Sequence, residues 1–266
     1  MSVQAAMNPE GIVPAGWIVP GGGIVPDWPV PPRVRAFVTT RAGGVSAAPY
    51  DRFNLGTRCG DDPSLVSTNR ALLRDCLPGE PVWLRQVHGA RALDAGAVIQ
   101  VNGDEPEADA SYTRAAGVVC TVLVADCMPV LLADRAGTAV AVAHAGWRGM
   151  SSGVIEAAVA GMGLTAGDIV AWLGPAIGPE HFEVGGDVLN AFAQADSRAA
   201  AAFKPYPGRP GKWLCDLYAL ARLRLASLGI DAVYGGGYCT VSDVRCFSFR
   251  RDKITGRMGA FIWLAP

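Results

Sequence analysis

The chain has 266 residues, half of them hydrophobic, and can therefore bury a large core as one domain or as two smaller ones. Its net charge of -1 and its 18% of charged residues exclude a surface built to bind polyanions, so we expect no nucleic-acid partner. Seven irregularly spaced cysteines exclude a disulfide scaffold, and the lack of a signal-like start or a long apolar run predicts a cytoplasmic protein without a membrane partner.

The N-terminal stretch repeats a short Ile-Val-Pro unit three times within residues 12–26. Proline lacks a backbone donor and fixes φ, which disfavours both helices and central strands. We predict that residues 1–32 form an extended arm whose part around Trp28 docks on the body, while the earlier part frays. Residues 33–266 contain no linker-like stretch and are predicted to form a single catalytic α/β domain.

Hydrophobic periodicity predicts that strands and helices alternate along this domain. The predicted strands are residues 34–40, 82–87, 111–112, 118–124, 168–173 and 232–238, and the predicted helices are residues 64–76, 151–162, 187–195 and 216–228. Two hairpins are predicted as well, one around the turn at 134–137 and one from the C-terminal segments 246–252 and 257–263. The pattern indicates an α/β fold, a single domain with mixed β-sheets flanked by helices.

Three chemically active side chains stand at the ends of predicted strands. Cys127 precedes the first strand of the central hairpin, His144 follows the second, and His88 lies at the exit of the strand at 82–87. Pairing of the hairpin strands would let Cys127 and His144 converge, and the matched setting of His88 adds a third group. A thiolate beside imidazoles indicates either a set of metal ligands or an activated nucleophile.

Several blocks, in order from Val34 to the end of the chain, resemble the YfiH family of laccase-domain proteins. They are residues 40–46 (TRAGGVS), 54–56 (NLG), 86–89 (QVHG), 108–110 (ADA), 125–130 (ADCMPV), 144–149 (HAGWRG), 174–179 (GPAIGP), 216–217 (DL), 239–240 (CT), 247–251 (FSFRR) and 255–258 (TGRM). Members of this family are known as polyphenol oxidases, as purine nucleoside phosphorylases and, in bacteria, as a peptidoglycan editing factor.

The resemblance implies a YfiH-like single α/β domain and a zinc site formed by His88, Cys127 and His144. Three protein ligands leave a fourth position open, which is typical of catalytic zinc. The resemblance also implies phosphorolysis of adenosine, inosine, guanosine and methylthioadenosine, with adenosine deamination as a second activity. Some members have another cysteine where this chain has Ala176, so no thiol role is expected in that loop.

Phosphorolysis requires phosphate to be held against C1′ of the ribose while the leaving purine takes up a proton or a hydrogen bond. Arg41 and Arg148, which follow strands and flank glycines, are the predicted phosphate ligands. Asp126, beside the thiolate, is predicted to orient a ligand or to act as an acid or base. Asn54 and Asp109 are predicted to contact the ribose or the base. Each of these five residues could instead stabilise its own loop.

Other activities are compatible with the same residues. Cys127 and His144, with Asp126 as orienter, could form a cysteine hydrolase or amidase. Copper could replace zinc in vitro and give a laccase-like polyphenol oxidase, although a multicopper centre needs many more histidines than the three in this chain. A non-enzymatic alternative is a binding module in envelope maintenance, such as peptidoglycan editing, whose cellular role would survive substitution of His88 and Cys127. The expected partners are a nucleoside and phosphate, bound by a monomer or weak homodimer.

Overall fold

The computed structural model describes residues 19, 21–98 and 104–266. The predicted fraying of the early arm falls outside these residues. The later arm lies against the body, because Ile24 and Val38 exchange two backbone hydrogen bonds of 2.7 and 2.8 Å. Trp28 and Val30 pack against the buried core, which agrees with the predicted docking of this part of the arm.

The described residues form twelve strands and six α-helices. The strands are β1 (Val34–Val38), β2 (Ala92–Asp94), β3 (Ala110–Thr113), β4 (Val119–Val124), β5 (Met128–Asp134), β6 (Val140–Ala145), β7 (Ile169–Leu173), β8 (Glu183–Gly185), β9 (Phe203–Pro205), β10 (Lys212–Cys215), β11 (Val233–Gly235) and β12 (Met258–Leu264). The helices are α1 (Pro63–Ala71), α2 (Trp147–Ser151), α3 (Val154–Met162), α4 (Gly186–Ala193), α5 (Leu217–Ser227) and α6 (Phe249–Asp252).

Three sheets organise these strands. The largest has the order β11-β7-β5-β6-β3-β2 and contains both parallel and antiparallel pairs. A second sheet has the order β1-β12-β4 and a third the order β8-β10-β9. The chain is thus a mixed α/β single domain, which confirms the predicted fold class. No helix among the described residues is long and apolar enough to cross a membrane.

The predicted central hairpin is present as β5 and β6, and it is buried on both faces. Successive side chains of a strand point to opposite faces, so Val130 and Leu132 pack on the helical side while Leu131 and Ala133 pack towards β4 and β12. Burial on both sides explains the continuous apolar runs of these strands. The turn between them is closed by Asp134, whose carboxylate accepts two backbone N–H groups.

Helix ends follow local sequence signals. Asp62 caps α1 by accepting the N–H of Ser64 at 2.8 Å, and Asp216 caps α5 in the same way. The helix predicted at 151–162 instead begins at Trp147 and is divided into α2 and α3. Gly153, with φ of 95°, separates the two helices because a left-handed residue cannot continue a right-handed helix.

Two predicted strand assignments are wrong. The C-terminal hairpin does not form, because Ser248 accepts the N–H of Arg251 and starts α6 within the segment predicted as its first strand. The second segment becomes β12, which pairs with β1 and β4 from earlier in the chain. With the other described residues, positions 82–87 make only the isolated bridges Val82↔Cys120 and Arg85↔Glu107.

Candidate metal centre and cavity

The three predicted metal ligands lie together at one edge of the central hairpin. Pro129 of β5 pairs with His144 of β6, which brings the preceding Cys127 beside the end of β6. His88 approaches from the segment that bridges to Glu107. The candidate ligand atoms of His88, Cys127 and His144 all lie within 4.8 Å of one another, and Cys127 Sγ is 3.9 Å from His88 Nε2.

Asp109 binds the segments that carry both histidines. Its carboxylate is fully buried and accepts the backbone N–H groups of Val87, His88 and Gly89 at 2.8 to 3.1 Å. It also lies 2.9 Å from Nδ1 of His144. A carboxylate can only accept, so Nδ1 carries the proton and Nε2 is left to face a metal ion. His88 has the unusual φ of 61°, which these hydrogen bonds stabilise.

The space between the ligands depends on Gly146. A Cβ at this position would lie 2.6 Å from Cys127 Sγ and 3.5 Å from Cδ2 of His88. The absence of a side chain therefore allows the sulfur and the imidazole to converge. Two imidazoles and one thiolate are a donor set that zinc and copper accept, and three protein ligands fit a metal ion with an open position. The three residues thus form a group able to hold a metal ion.

The charges of the ligands depend on one another. Burial alone would raise the pKa of Cys127, but the charge and hydrogen bonds of His144, together with His88, outweigh it and lower the pKa. Burial alone would lower the pKa of His144, but the Cys127 thiolate and Asp109 raise it. Burial opposes ionisation of Asp109 as well, yet hydrogen bonds from His144 and Gly89 keep its pKa low. In the metal-free protein these shifts favour a thiolate beside a protonated imidazole, and a metal ion would take the place of the proton on Nε2.

The metal-binding group opens into a cavity of about 580 Å³. Besides the three ligands and Asp126, its walls contain aromatic and aliphatic side chains and several arginines. The arginines are Arg58, Arg148, Arg250 and Arg257, and the aromatic residues are Trp147, Phe182 and Phe249. A cavity of this size, with an apolar wall and convergent cations, suits a small ligand that has both a flat apolar part and an anionic part.

The cavity arginines differ in how many of their donors are already used. Arg148 makes no ion pair or side-chain hydrogen bond with the described residues and stacks on Trp147, with its Cζ 4.5 Å from the ring centroid. Arg250 donates from one terminal nitrogen to two backbone carbonyls, and Arg257 does likewise. Arg58 lies 3.6 Å from Glu105. Each guanidinium therefore retains donors for an anion.

Three of the four residues predicted to bind substrate lie outside the cavity wall. Arg41 is absent from the cavity wall, and its guanidinium donates to the carbonyl oxygen and the carboxylate of Asp51. Asn54 is fully buried beneath the wall, where its amide binds Gly56, Asp61 and the N–H of Arg257. Arg41 and Asn54 thus stabilise loops in this structure, and Asp109 contacts candidate metal ligands rather than the cavity.

Asp126 does line the cavity, but its carboxylate is already bound. One oxygen accepts the hydroxyl of Thr240 at 2.5 Å and the other accepts the N–H of Arg250 at 2.6 Å. The residue adopts φ of 87° and immediately precedes Cys127. Asp126 therefore joins the α6 segment to the metal-binding group. Its position fits an orienting role better than proton transfer, because neither oxygen is free of a donor.

Sequence reasoning did not assign Arg58, Arg250 or Arg257 to the site. The sequence contains one signal for two of them, since Arg250 and Arg257 flank the same C-terminal turn and form a cluster suited to an anion. Their arrival at the metal centre depends on α6 and on the bond between Asp126 and Arg250. No local pattern indicates Arg58, which reaches the cavity with the loop at Gly56.

Comparison with known proteins places the chain in a family. The family model of multi-copper polyphenol oxidoreductase laccases matches residues 35–265. The purine nucleoside phosphorylase of Pseudomonas aeruginosa is 50% identical over 239 residues, which cover 90% of this chain and 96% of the relative. The purine nucleoside phosphorylase YfiH of Escherichia coli is 50% identical over 243 residues, which cover 89% and 96%.

Two solved structures with related sequences have the same fold as this chain. A Neisseria meningitidis protein superposes with a TM-score of 0.86 and 45% identity, covering 92% of this chain and 99% of its own. YlmD from Geobacillus stearothermophilus superposes with a TM-score of 0.76 and 30% identity, covering 89% and 94%. The order of the sequence blocks, the fold and these matches agree with one another. The chain belongs to the YfiH family of laccase-domain proteins.

Proposed function

We propose that the protein is a purine nucleoside phosphorylase whose active site is the cavity beside His88, Cys127 and His144. The observation that carries the proposal is that one cavity brings together a metal-binding group, an aromatic surface and arginine donors without an acceptor among the residues that the structure describes. The relatives named purine nucleoside phosphorylase, at about half identity over almost their whole length, support the same activity.

The arginines of the cavity wall are the proposed ligands of phosphate. Arg148 is the strongest candidate because its donors have no acceptor among the described residues and Trp147 fixes the plane of its guanidinium. Arg250 and Arg257 are anchored by backbone carbonyls through one nitrogen, and their other nitrogens have no acceptor in the described part of the chain and can donate to an anion. An oriented guanidinium can donate two parallel hydrogen bonds to two phosphate oxygens. Such contacts would hold the phosphate, which is the nucleophile, in place for attack on C1′ of the ribose.

The purine and ribose would occupy the apolar wall. Phe249 is 53% exposed at the cavity, although large apolar side chains are normally covered. Phe182 and Trp147 extend this surface, each beneath an arginine. Aromatic rings stack on purines without discriminating strongly between them. This arrangement supports activity on several purine nucleosides, including adenosine, inosine, guanosine and methylthioadenosine.

We further propose that the metal is zinc. When bound, zinc would supply Lewis-acid chemistry, by polarising an electron-rich atom of the substrate or by activating water. The contribution of the chain is to hold the ligands: Asp109 orients His144 and fixes the backbone of His88, while Cys127 supplies the thiolate. Asp126 holds Arg250 in position through its backbone N–H. The copper of the laccase description would use the same ligands.

Adenosine deamination is the second activity that we propose for this cavity, because it needs the same purine surface and an activated water molecule. A cysteine hydrolase would need no metal and would depend on Cys127 and His144 alone.

A reducing compartment such as the cytoplasm suits the protein, since Cys127 is a free thiol needed as a metal ligand. If the protein has an envelope role, such as peptidoglycan editing, that does not use this activity, substitution of His88 and Cys127 should leave that role intact.

The test is product analysis after incubation with inosine or adenosine, with and without phosphate. We expect ribose 1-phosphate together with hypoxanthine or adenine only when phosphate is present. Adenosine without phosphate should yield inosine if deamination occurs. Metal-loaded protein that releases no ribose 1-phosphate would contradict the phosphorylase proposal. Activity of metal-free protein that iodoacetamide abolishes would favour the cysteine hydrolase.

A further inference from the structure

A second thiol–imidazole pair lies outside the metal-binding group. Cys239 Sγ is 3.4 Å from Nδ1 of His181, which is shorter than the 3.9 Å between Cys127 and His88. Cys239 is partly exposed and His181 is exposed, so small reagents in solvent can reach the pair. The two residues come from different loops, after β11 and before β8 respectively, and none of the metal ligands belongs to either loop.

The surroundings of the Cys239 sulfur stabilise a thiolate. The backbone N–H of Gly178 donates to Sγ at 3.3 Å. A Cβ on Gly178 would lie 3.1 Å from the sulfur, so the glycine permits this close approach. Although burial would raise the pKa of Cys239, hydrogen bonds from Ser242, Gly178 and Val241 outweigh it and lower the pKa.

We propose that Cys239 is a reactive thiol that hydroperoxides oxidise to a sulfenic acid, with His181 as its base. The imidazole takes the thiol proton, and the thiolate sulfur attacks the nearer peroxide oxygen. The S–O bond forms as the O–O bond breaks, so that sulfur loses two electrons to the peroxide. The leaving oxygen takes the proton from the imidazolium, which gives water or an alcohol and regenerates His181.

Other cysteines lack this combination. Cys59 is also partly exposed, but its thiol donates to the carbonyl of Gly56 and accepts from Asn54, with no imidazole beside it. Cys120, Cys215 and Cys246 are buried, and burial raises the pKa of each thiol. Cys59 is therefore the matched comparison for Cys239 within the same molecule.

Oxidation of Cys239 to a sulfenic acid would change a residue next to the cavity wall. Thr240, next to Cys239, donates to Asp126 at 2.5 Å, and Asp126 lines the cavity. The carbonyl of His181 accepts from Arg250, another wall residue. An added oxygen on Cys239 thus lies close to both of these contacts. The metal ligands themselves are not consumed in the reaction.

The test is to expose the full-length protein, as purified, to hydrogen peroxide with a sulfenic-acid trap and to quantify each labelled cysteine by mass spectrometry. We expect Cys239 to be labelled at least about tenfold faster than Cys59 at neutral pH, because a stabilised thiolate reacts faster than a thiol. His181→Asn keeps a polar side chain of similar reach but removes the base. It should slow labelling of Cys239 and leave Cys59 unchanged.

Equal labelling of Cys239 and Cys59 in the wild-type protein would overturn the proposal, as would unchanged labelling of Cys239 in a folded His181→Asn variant. A melting curve establishes whether that variant folds. If it does not, the wild-type ratio of Cys239 to Cys59 decides alone. Nucleoside turnover is not part of the readout, so this test is independent of the proposed phosphorylase activity.

Discussion

Asp109 lies 2.9 Å from Nδ1 of His144, and the same carboxylate accepts the backbone N–H groups of residues 87–89. One buried side chain therefore positions two candidate metal ligands that are distant in the sequence. Because it touches neither the cavity nor the open side of the metal group, its effect on function must pass through His88 and His144.

Asp109→Asn should weaken metal binding. The amide that replaces the carboxylate would set an N–H donor against backbone N–H groups and leave them with one acceptor oxygen. We expect zinc affinity, measured by competition with a chromogenic chelator, to fall by about 10- to 100-fold. Glu107→Gln is the matched control because Glu107 is 44% exposed on the same loop and pairs only with Arg85 among the described residues. Equal affinities in the wild type and both variants would refute this role of Asp109.

Gly146→Ala should disrupt the site by steric means alone. The added methyl would stand 2.6 Å from Cys127 Sγ, well inside van der Waals contact. We expect the near-ultraviolet spectrum of the cobalt-substituted protein to lose its thiolate charge-transfer band. Gly167→Ala, where a Cβ meets nothing within 4 Å, should keep that band. A wild-type cobalt spectrum in Gly146→Ala would show that the sulfur does not need this space.

Arg148→Gln should affect phosphate more than nucleoside. The substitution removes a charge that no described residue pairs with at the cavity but keeps a side chain able to pack on Trp147. We expect KM for phosphate to rise by about tenfold or more, consistent with loss of a charged hydrogen bond, while zinc content is unchanged. Arg135→Gln, on the exposed turn between β5 and β6, should leave KM unaltered. An unchanged KM in Arg148→Gln would exclude Arg148 as a phosphate ligand.

Alkylation of Cys127 should report its lowered pKa in protein stripped of metal. Because the pKa is lowered, the thiolate is present above it and is lost as the pH falls through it. Iodoacetamide should therefore modify Cys127 at rates that are similar at pH 7 and 8 and that decline in acid. Added zinc should protect the sulfur. A rate that keeps rising between pH 7 and 9 would indicate an ordinary thiol.

The sequence predicted the metal-binding group well because its geometry follows from a local element. Two apolar runs and a short turn specify the β5–β6 hairpin, and pairing then brings Cys127 to the end of β6. His88 was included because it stands in a similar setting at a predicted strand end and because the family resemblance implies it as a ligand. The structure brings it there through Asp109, a contact between residues 21 positions apart that no local pattern reveals.

The C-terminal region was less predictable because its partners are remote. The run at 257–263 does form a strand, but β12 pairs with β1 and β4 rather than with the segment just before it. Hydrophobic periodicity predicts a strand but does not predict which other strand it pairs with. The contacts of Asn54 and Asp109 were unpredictable for a similar reason, since each polar group binds backbone groups that only the folded chain brings near.

Zinc content and phosphorolysis, measured together in protein purified without chelator, test the central claim most directly. The wild type should hold about one zinc per chain and release ribose 1-phosphate from inosine and phosphate. His88→Ala should lose both properties, whereas His181→Asn, at another exposed histidine, should keep its zinc. Metal-free wild-type protein with full phosphorolytic activity, or His88→Ala with undiminished zinc and turnover, would contradict the account.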